Sequence, residues 1–149
     1  AVCPGHNFQL GWFMMRTKCF DFLTLGEKEK YISFGEMIIK STLKKDTLID
    51  METKGFPESI NPLTNEIHSS SRSWWEHAEV INALTFLDDT YLPLLASHLD
   101  YFENTFVDYE YGGEYATVDA FGRPESNFKG GLGKANYHTI EMLKLVMTR

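Results

Sequence analysis

Cysteine, basic charge and long apolar runs are all scarce in this chain, and each shortage removes a class of function. Two cysteines among 149 residues, Cys3 and Cys19, cannot build a disulfide scaffold; they read as reduced thiols of a cytoplasmic protein. Acidic residues outnumber basic ones, for a formal net charge of −7. Such a surface repels nucleic acid and anionic membranes, so neither is expected as a partner. No apolar stretch is long enough to span a bilayer, and no signal-peptide pattern stands at the start. An initiator methionine is missing too, and an apolar segment begins within a few residues of Ala1. That arrangement predicts a piece of a longer chain.

What is present is apolar and aromatic, 43% and 14% of residues respectively, in a length that suits one domain with a core. Three segments, 10–23, 74–87 and 137–147, are apolar nearly all round, which predicts helices buried on every side. Two others, 27–43 and 90–106, carry apolar residues at helical spacing: Tyr31, Phe34, Ile38, Ile39 and Leu43, then Leu92, Leu95, Leu99 and Phe102. The second of these opens on Asp88, Asp89 and Thr90 with Pro93 close behind, which is good helix-start chemistry. Buried and half-exposed helices therefore alternate. The expectation is an all-α fold of about five helices in inner and outer layers. Of the stretches between, "KGFPESINPLTNEIHSSSRS" reads as loop with a short hairpin. "YGGEYATVDAFGRPES" reads as a β-hairpin around a Gly-Arg-Pro turn. "KGGLGKAN" is a glycine-rich approach to the last helix that lacks the strand-to-helix setting of a phosphate cradle.

The buried segments begin alike, with "GHNFQ", "SWWEHAE" and "NYHTIE". Trp75 follows His6 by 69 residues and precedes His138 by 63. Similar helix starts at near-equal spacing mark an array of helical hairpins, in which all inner helices point one way. Their N-termini then converge on one face and bring His6, Trp75, Glu79 and His138 together.

Each residue also has a plainer use. A histidine at a helix start often caps or packs, although two at matched repeat positions weaken that account. His6, His77 and His138 are three candidate zinc ligands, but no H-E-x-x-H or C-x-x-C accompanies them, so no metal is expected. His68 and His98 are expected at the surface without a role, and Glu76 as a solvent-side cap. One of Trp74 and Trp75 belongs to the core, while the other offers a flat face for a sugar ring. Glu79 follows Trp75 by one turn inside an apolar helix, where a carboxylate needs a polar partner.

The blocks "PGHNFQLGWF", "SWWEHAEVINAL" and "KGGLGKANYHTIEML" resemble, in order, those of the N-acylglucosamine 2-epimerase family, which includes cellobiose 2-epimerase and aldose–ketose isomerases. The matching residues are Pro4, Gly5, His6, Gly11 and Trp12, then Trp74, Trp75 and Glu79, then Lys129, Gly130, Gly131, Lys134 and His138. The resemblance implies the C-terminal half of an (α/α)6 toroid, a fold of twelve helices around a deep pocket. A closed ring then requires the rest of a longer chain, or the pairing of two copies as a homodimer. It further implies His6 and His138 as acid–base residues that remove and return the carbon-2 proton of a sugar, without metal or redox cofactor. Trp75 would hold the ring, Glu79 would bind hydroxyls or orient a histidine, and Trp12 would belong to the sugar site from beneath. One departure stands out: the family glutamate three residues after the first histidine is Gln9, which hydrogen-bonds but carries no charge. The N-acylglucosamine type of epimerase is the favoured expectation. The alternatives are an aldose–ketose isomerase, a glycosidase using Glu79 and Glu141, and a non-catalytic sugar-binding relative.

Overall fold

The computed structural model describes residues 1–44, 55–131 and 134–149. Lys54, which opens the first loop, and Leu132 and Gly133 of the glycine-rich approach lie outside the described residues. Five α-helices are found among those described: α1 (Pro4–Met15), α2 (Leu25–Leu43), α3 (Trp74–Thr85), α4 (Leu92–Phe106) and α5 (Tyr137–Met147). Short strands β1 (Ser59–Ile60), β2 (Ile67–Ser69), β3 (Arg72–Ser73) and β4 (Thr117–Val118) lie in the connections. None of these helices is long and apolar enough to cross a membrane.

Local chemistry sets the helix ends. Pro4 occupies the first turn of α1, where its missing N–H goes unnoticed and its fixed φ suits a helix. Thr24 and Glu27 form a reciprocal capping box at the start of α2. Asp88 accepts from the Thr90 N–H at 3.0 Å, starting a 3₁₀ turn (Asp89–Tyr91) that leads into α4, with Pro93 in its first turn.

The helices form two layers. α3 packs against α1 on one side and α5 on the other, while α2 backs α1 and α4 backs α3. Between the layers sit Phe8 and Trp12 of α1, Ile39 of α2, Ile81 and Leu84 of α3, and Leu95, Phe102 and Phe106 of α4, all buried. α1 and α2 approach unusually closely. A Cβ on Gly35 would meet the Gly11 carbonyl at 2.4 Å, and one on Gly11 would meet Ile39 at the same distance. This contact turns Gly35, Ile39 and Thr42 towards α1 and leaves Phe34, expected in the core, 45% exposed on the flank.

Three further expectations are corrected. The first helix does not run to Leu23: Thr17 Oγ1 donates to the Met14 carbonyl at 2.6 Å, a 3₁₀ turn (Arg16–Cys19) follows, and Phe20 and Phe22 stack together at the surface, 5.4 Å apart. α5 is not buried on every side. It packs chiefly on α3, so Met142 is buried while Ile140 and Leu143 are exposed. The third concerns the connections. β1 and β2 do form the expected hairpin, but β4 pairs with β3 rather than within its own segment. The Gly-Arg-Pro turn closes only a single bridge, between Val118 and Pro124.

An alanine at Gly35 gains about 1 kcal/mol of helix propensity yet forces the two helices apart. Gly35→Ala is expected to destabilise the protein by about 1–3 kcal/mol net, measured as a lowered midpoint in chemical denaturation.

Candidate active site

The two strand pairings gather the inner helix starts. Val2 and Ile60 exchange backbone hydrogen bonds of 2.8 and 3.0 Å, which ties the entry of α1 to the β1–β2 hairpin. β3 runs directly into α3, and the Trp74 N–H donates to the Ala116 carbonyl at 3.1 Å. On the resulting face His6, Gln9, Trp75, Tyr137 and His138 line an open hollow of about 420 Å³. The His6 and His138 rings both lie against the Trp75 indole, with centroids 5.0 and 5.4 Å from it. Two imidazoles from opposite ends of the sequence thus stand around one flat apolar side chain.

Beneath His138 lies a polar chain in an otherwise dry interior. Trp12 Nε1–H donates to Glu79 Oε2 at 2.5 Å, and His138 Nδ1 lies 2.6 Å from Glu79 Oε1. Indole nitrogen can only donate, so Glu79 is an acceptor there. Where its other oxygen accepts from His138, Nδ1 carries the ring proton and Nε2 is left with the free lone pair. Glu79 and Trp12 are both fully buried. Of the two uses expected of Glu79, contact with hydroxyls is corrected: it sits under the hollow against His138. Trp12 is packed beneath and bonded to it, and neither residue lines the hollow as a direct sugar contact.

Tyr137 went unnoticed in the sequence. It precedes His138 at the start of α5, packs edge-on against that ring at 5.0 Å, and lines the hollow. Burial first, then the charges of Glu79 and Glu141, raise its phenol above the ordinary range, so it remains a hydrogen-bond donor. The only signal for it was its place beside a candidate histidine.

Other sequence expectations change with burial. His77 points away from the hollow: its Nδ1–H donates to the Ser73 carbonyl at 2.8 Å, and its Nε2 accepts from the Phe56 N–H at 3.3 Å. It stacks on Phe56 at 4.2 Å and does not converge with His6 and His138. Burial above all holds its pKa down at about 3, so the ring is neutral. His98, expected at the surface, is buried on α4, as is Glu76, expected to face solvent. Both follow from α3 being covered on nearly all sides, by α1, α4 and α5. His68 is exposed as expected. Glu141 pairs with Arg16 at 2.5 Å and does not line the hollow. With Glu79 sealed as well, neither carboxylate is placed to flank a glycosidic bond.

Paired helices in two layers, with histidines and a tryptophan at the shared start of the inner ones, have the arrangement of part of an (α/α)6 toroid, the fold of the sugar epimerases. The pattern of N-acylglucosamine 2-epimerase (GlcNAc 2-epimerase) matches residues 1–142, and the chain belongs to that family. Among solved structures it is similar to a D-mannose isomerase (TM-score 0.84, 19% identity, covering 100% of this chain and 38% of that one). A sugar epimerase from a ruminal bacterium follows (0.80, 22%, 99% and 38%), then the cellobiose 2-epimerase of Bacillus thermoamylovorans B4167 (0.73, 22%, 99% and 37%). At these identities the likeness is one of fold. The chain spans 38% of the length of the first of these structures. Among curated proteins none matches the sequence.

Trp12→Phe leaves Glu79 Oε2 buried without its donor. It is expected to lower stability by about 1–3 kcal/mol, measured by thermal unfolding. A second expectation concerns His77. Its folded pKa lies below the unfolded value of 6.5, so its contribution is present above that value and fades as pH falls towards about 3. The stability gap between the native protein and His77→Asn should narrow from about pH 7 to about pH 4, measured by denaturant titration at each pH.

Proposed function

We propose that this chain carries the reacting pocket of a sugar 2-epimerase, of the N-acylglucosamine/N-acylmannosamine type. The observation behind this reading is the pair of imidazoles, His6 and His138, both packed beside Trp75 in one sugar-sized hollow. In an open-chain aldose the aldehyde acidifies the carbon-2 proton. One imidazole takes that proton, the electrons move into an enediolate that is planar at carbon-2, and the other imidazole delivers a proton to the opposite face. His138 suits the role of base because Glu79 fixes its tautomer and stabilises the imidazolium that forms. The enediolate charge is met by the Tyr137 phenol, the Gln9 amide and the N-terminal dipoles of α1, α3 and α5. Gln9 supplies a donor without a charge, so the pocket adds no further carboxylate to repel the developing anion. Trp75 offers the apolar face against which a sugar ring packs.

The same groups serve aldose–ketose isomerisation when the proton returns to carbon-1, so the two reactions differ by geometry alone. We read the chain as the C-terminal part of a toroid completed by further helices. The exposed apolar residues of α1 (Leu10, Phe13) and α5 (Ile140, Leu143) then pack against inner neighbours.

The full-length protein is expected to incorporate solvent deuterium at carbon-2 of an N-acylhexosamine, followed by proton NMR. His138→Asn should reduce that exchange by about 10²–10⁴-fold. Undiminished exchange in the variant removes the base assignment. Ketose formation points to the isomerase, release of reducing sugar from an oligosaccharide to a glycosidase, and binding without exchange to a non-catalytic relative.

A further inference from the structure

Glu76 has no part in the chemistry above, yet it is an acid sealed 99% from solvent, with 1% of its surface exposed. Burying a carboxyl is costly unless its hydrogen bonds are made, and here only part of the cost is offset. Cys3 Sγ–H donates to Glu76 Oε1 at 3.0 Å, and the Gly5 N–H also favours its charged form. Oε2 has no partner. Glu58 is the other charge that bears on it, and with burial as the leading cause the carboxyl is pushed up to about 8. The Cys3 thiol, half-buried beside it, is pushed up to about 12. The surroundings therefore favour the neutral form of both groups.

Three features connect this acid to the hollow. First, α1 begins at Cys3 without a side-chain cap of its own, and the Gly5 N–H of its first turn looks to Glu76 on α3. Second, Gly5 lies directly on Glu76: a Cβ there would stand 2.5 Å from Glu76 Cγ and 3.1 Å from its Cα. Third, the residue after Gly5 is His6 and the residue before Glu76 is Trp75, and these two rings stand 5.0 Å apart. The Cys3–Gly5 contact with Glu76 and the His6 contact with Trp75 are successive rungs between the same two helix starts.

We propose that Glu76 is a positioning residue, whose carboxyl draws Cys3 and Gly5 onto the first turn of α3 and thereby sets His6 against Trp75. This deepens the reading of the hollow given above and rests on His6 having a role there. The residue acts through His6 and touches no substrate.

The test uses the full-length protein with selectively labelled histidine and tryptophan, the His6 signals being assigned by their loss in His6→Asn. Nuclear Overhauser cross-peaks between the His6 and Trp75 rings report the contact whether or not the protein turns over a sugar. Glu76→Ala is expected to lose these cross-peaks while those between Trp75 and His138 remain. Glu76→Gln, which keeps the shape and an acceptor, is expected to retain both sets. Should Glu76→Ala fail to fold, Cys3→Ala decides, since it removes the thiol and leaves the core intact: loss of the His6–Trp75 cross-peaks supports the proposal. Unchanged His6–Trp75 cross-peaks in the folded Glu76→Ala protein, or in Cys3→Ala where that variant decides, overturn it. Loss in Glu76→Gln equal to that in Glu76→Ala also overturns the role of the shared acceptor. A protein that shows the contact but no carbon-2 exchange would refute the epimerase reading and leave this one standing.

Discussion

A carboxylate with no access to water organises the functional end of this chain. Glu79 accepts from Trp12 on α1 and from His138 on α5 while belonging to α3 between them, so one charged group joins all three inner helices. Leaving such a group unsatisfied in an apolar interior is among the larger penalties a fold can incur. The helices consequently have a single favourable rotational setting, the one that presents both donors to both oxygens. That setting also turns His138 and Trp75 into the hollow. Folding and the orientation of the His138 ring are the same event.

The surroundings enforce the arrangement sterically. Gly11 and Gly35 let α2 lie against α1 at backbone distance, and Ile39 fills the space beside them. α1 thus cannot roll to follow its ring contacts; it is fixed from behind by α2 and from the side by α3. Interiors packed to this density transmit small displacements rather than absorbing them, which explains how residues that never meet solvent influence those that do.

Much of this was legible in the sequence because periodicity and capping are local. The helical segments and the Asp88–Pro93 approach to α4 follow from residues a turn or two apart. The convergence of His6, Trp75, Glu79 and His138 needed only the repeat. What stayed hidden depends on neighbours distant in sequence. Whether Glu79 meets solvent or a histidine is decided by Trp12, 67 residues away. The burial of His98 and Glu76 is decided by which faces of α3 and α4 meet other helices, and a polar letter in an amphipathic pattern reads as surface by default. Apolar letters mislead in the opposite sense: Phe22 and Ile140 look like core but lie open, because one side of each has nothing packed on it within the described chain.

The passage from β3 to α3 carries one more implication. Ser73 ends the strand and Trp74 begins the helix, with no residue between to take up slack. The strand is in turn laced to the segment at Thr117 and Val118, whose tight return at Asp119–Arg123 is closed by hydrogen bonds of 2.9 and 3.0 Å. The pitch of the tryptophan pair is thereby geared to the length of that return, none of whose residues lines the hollow.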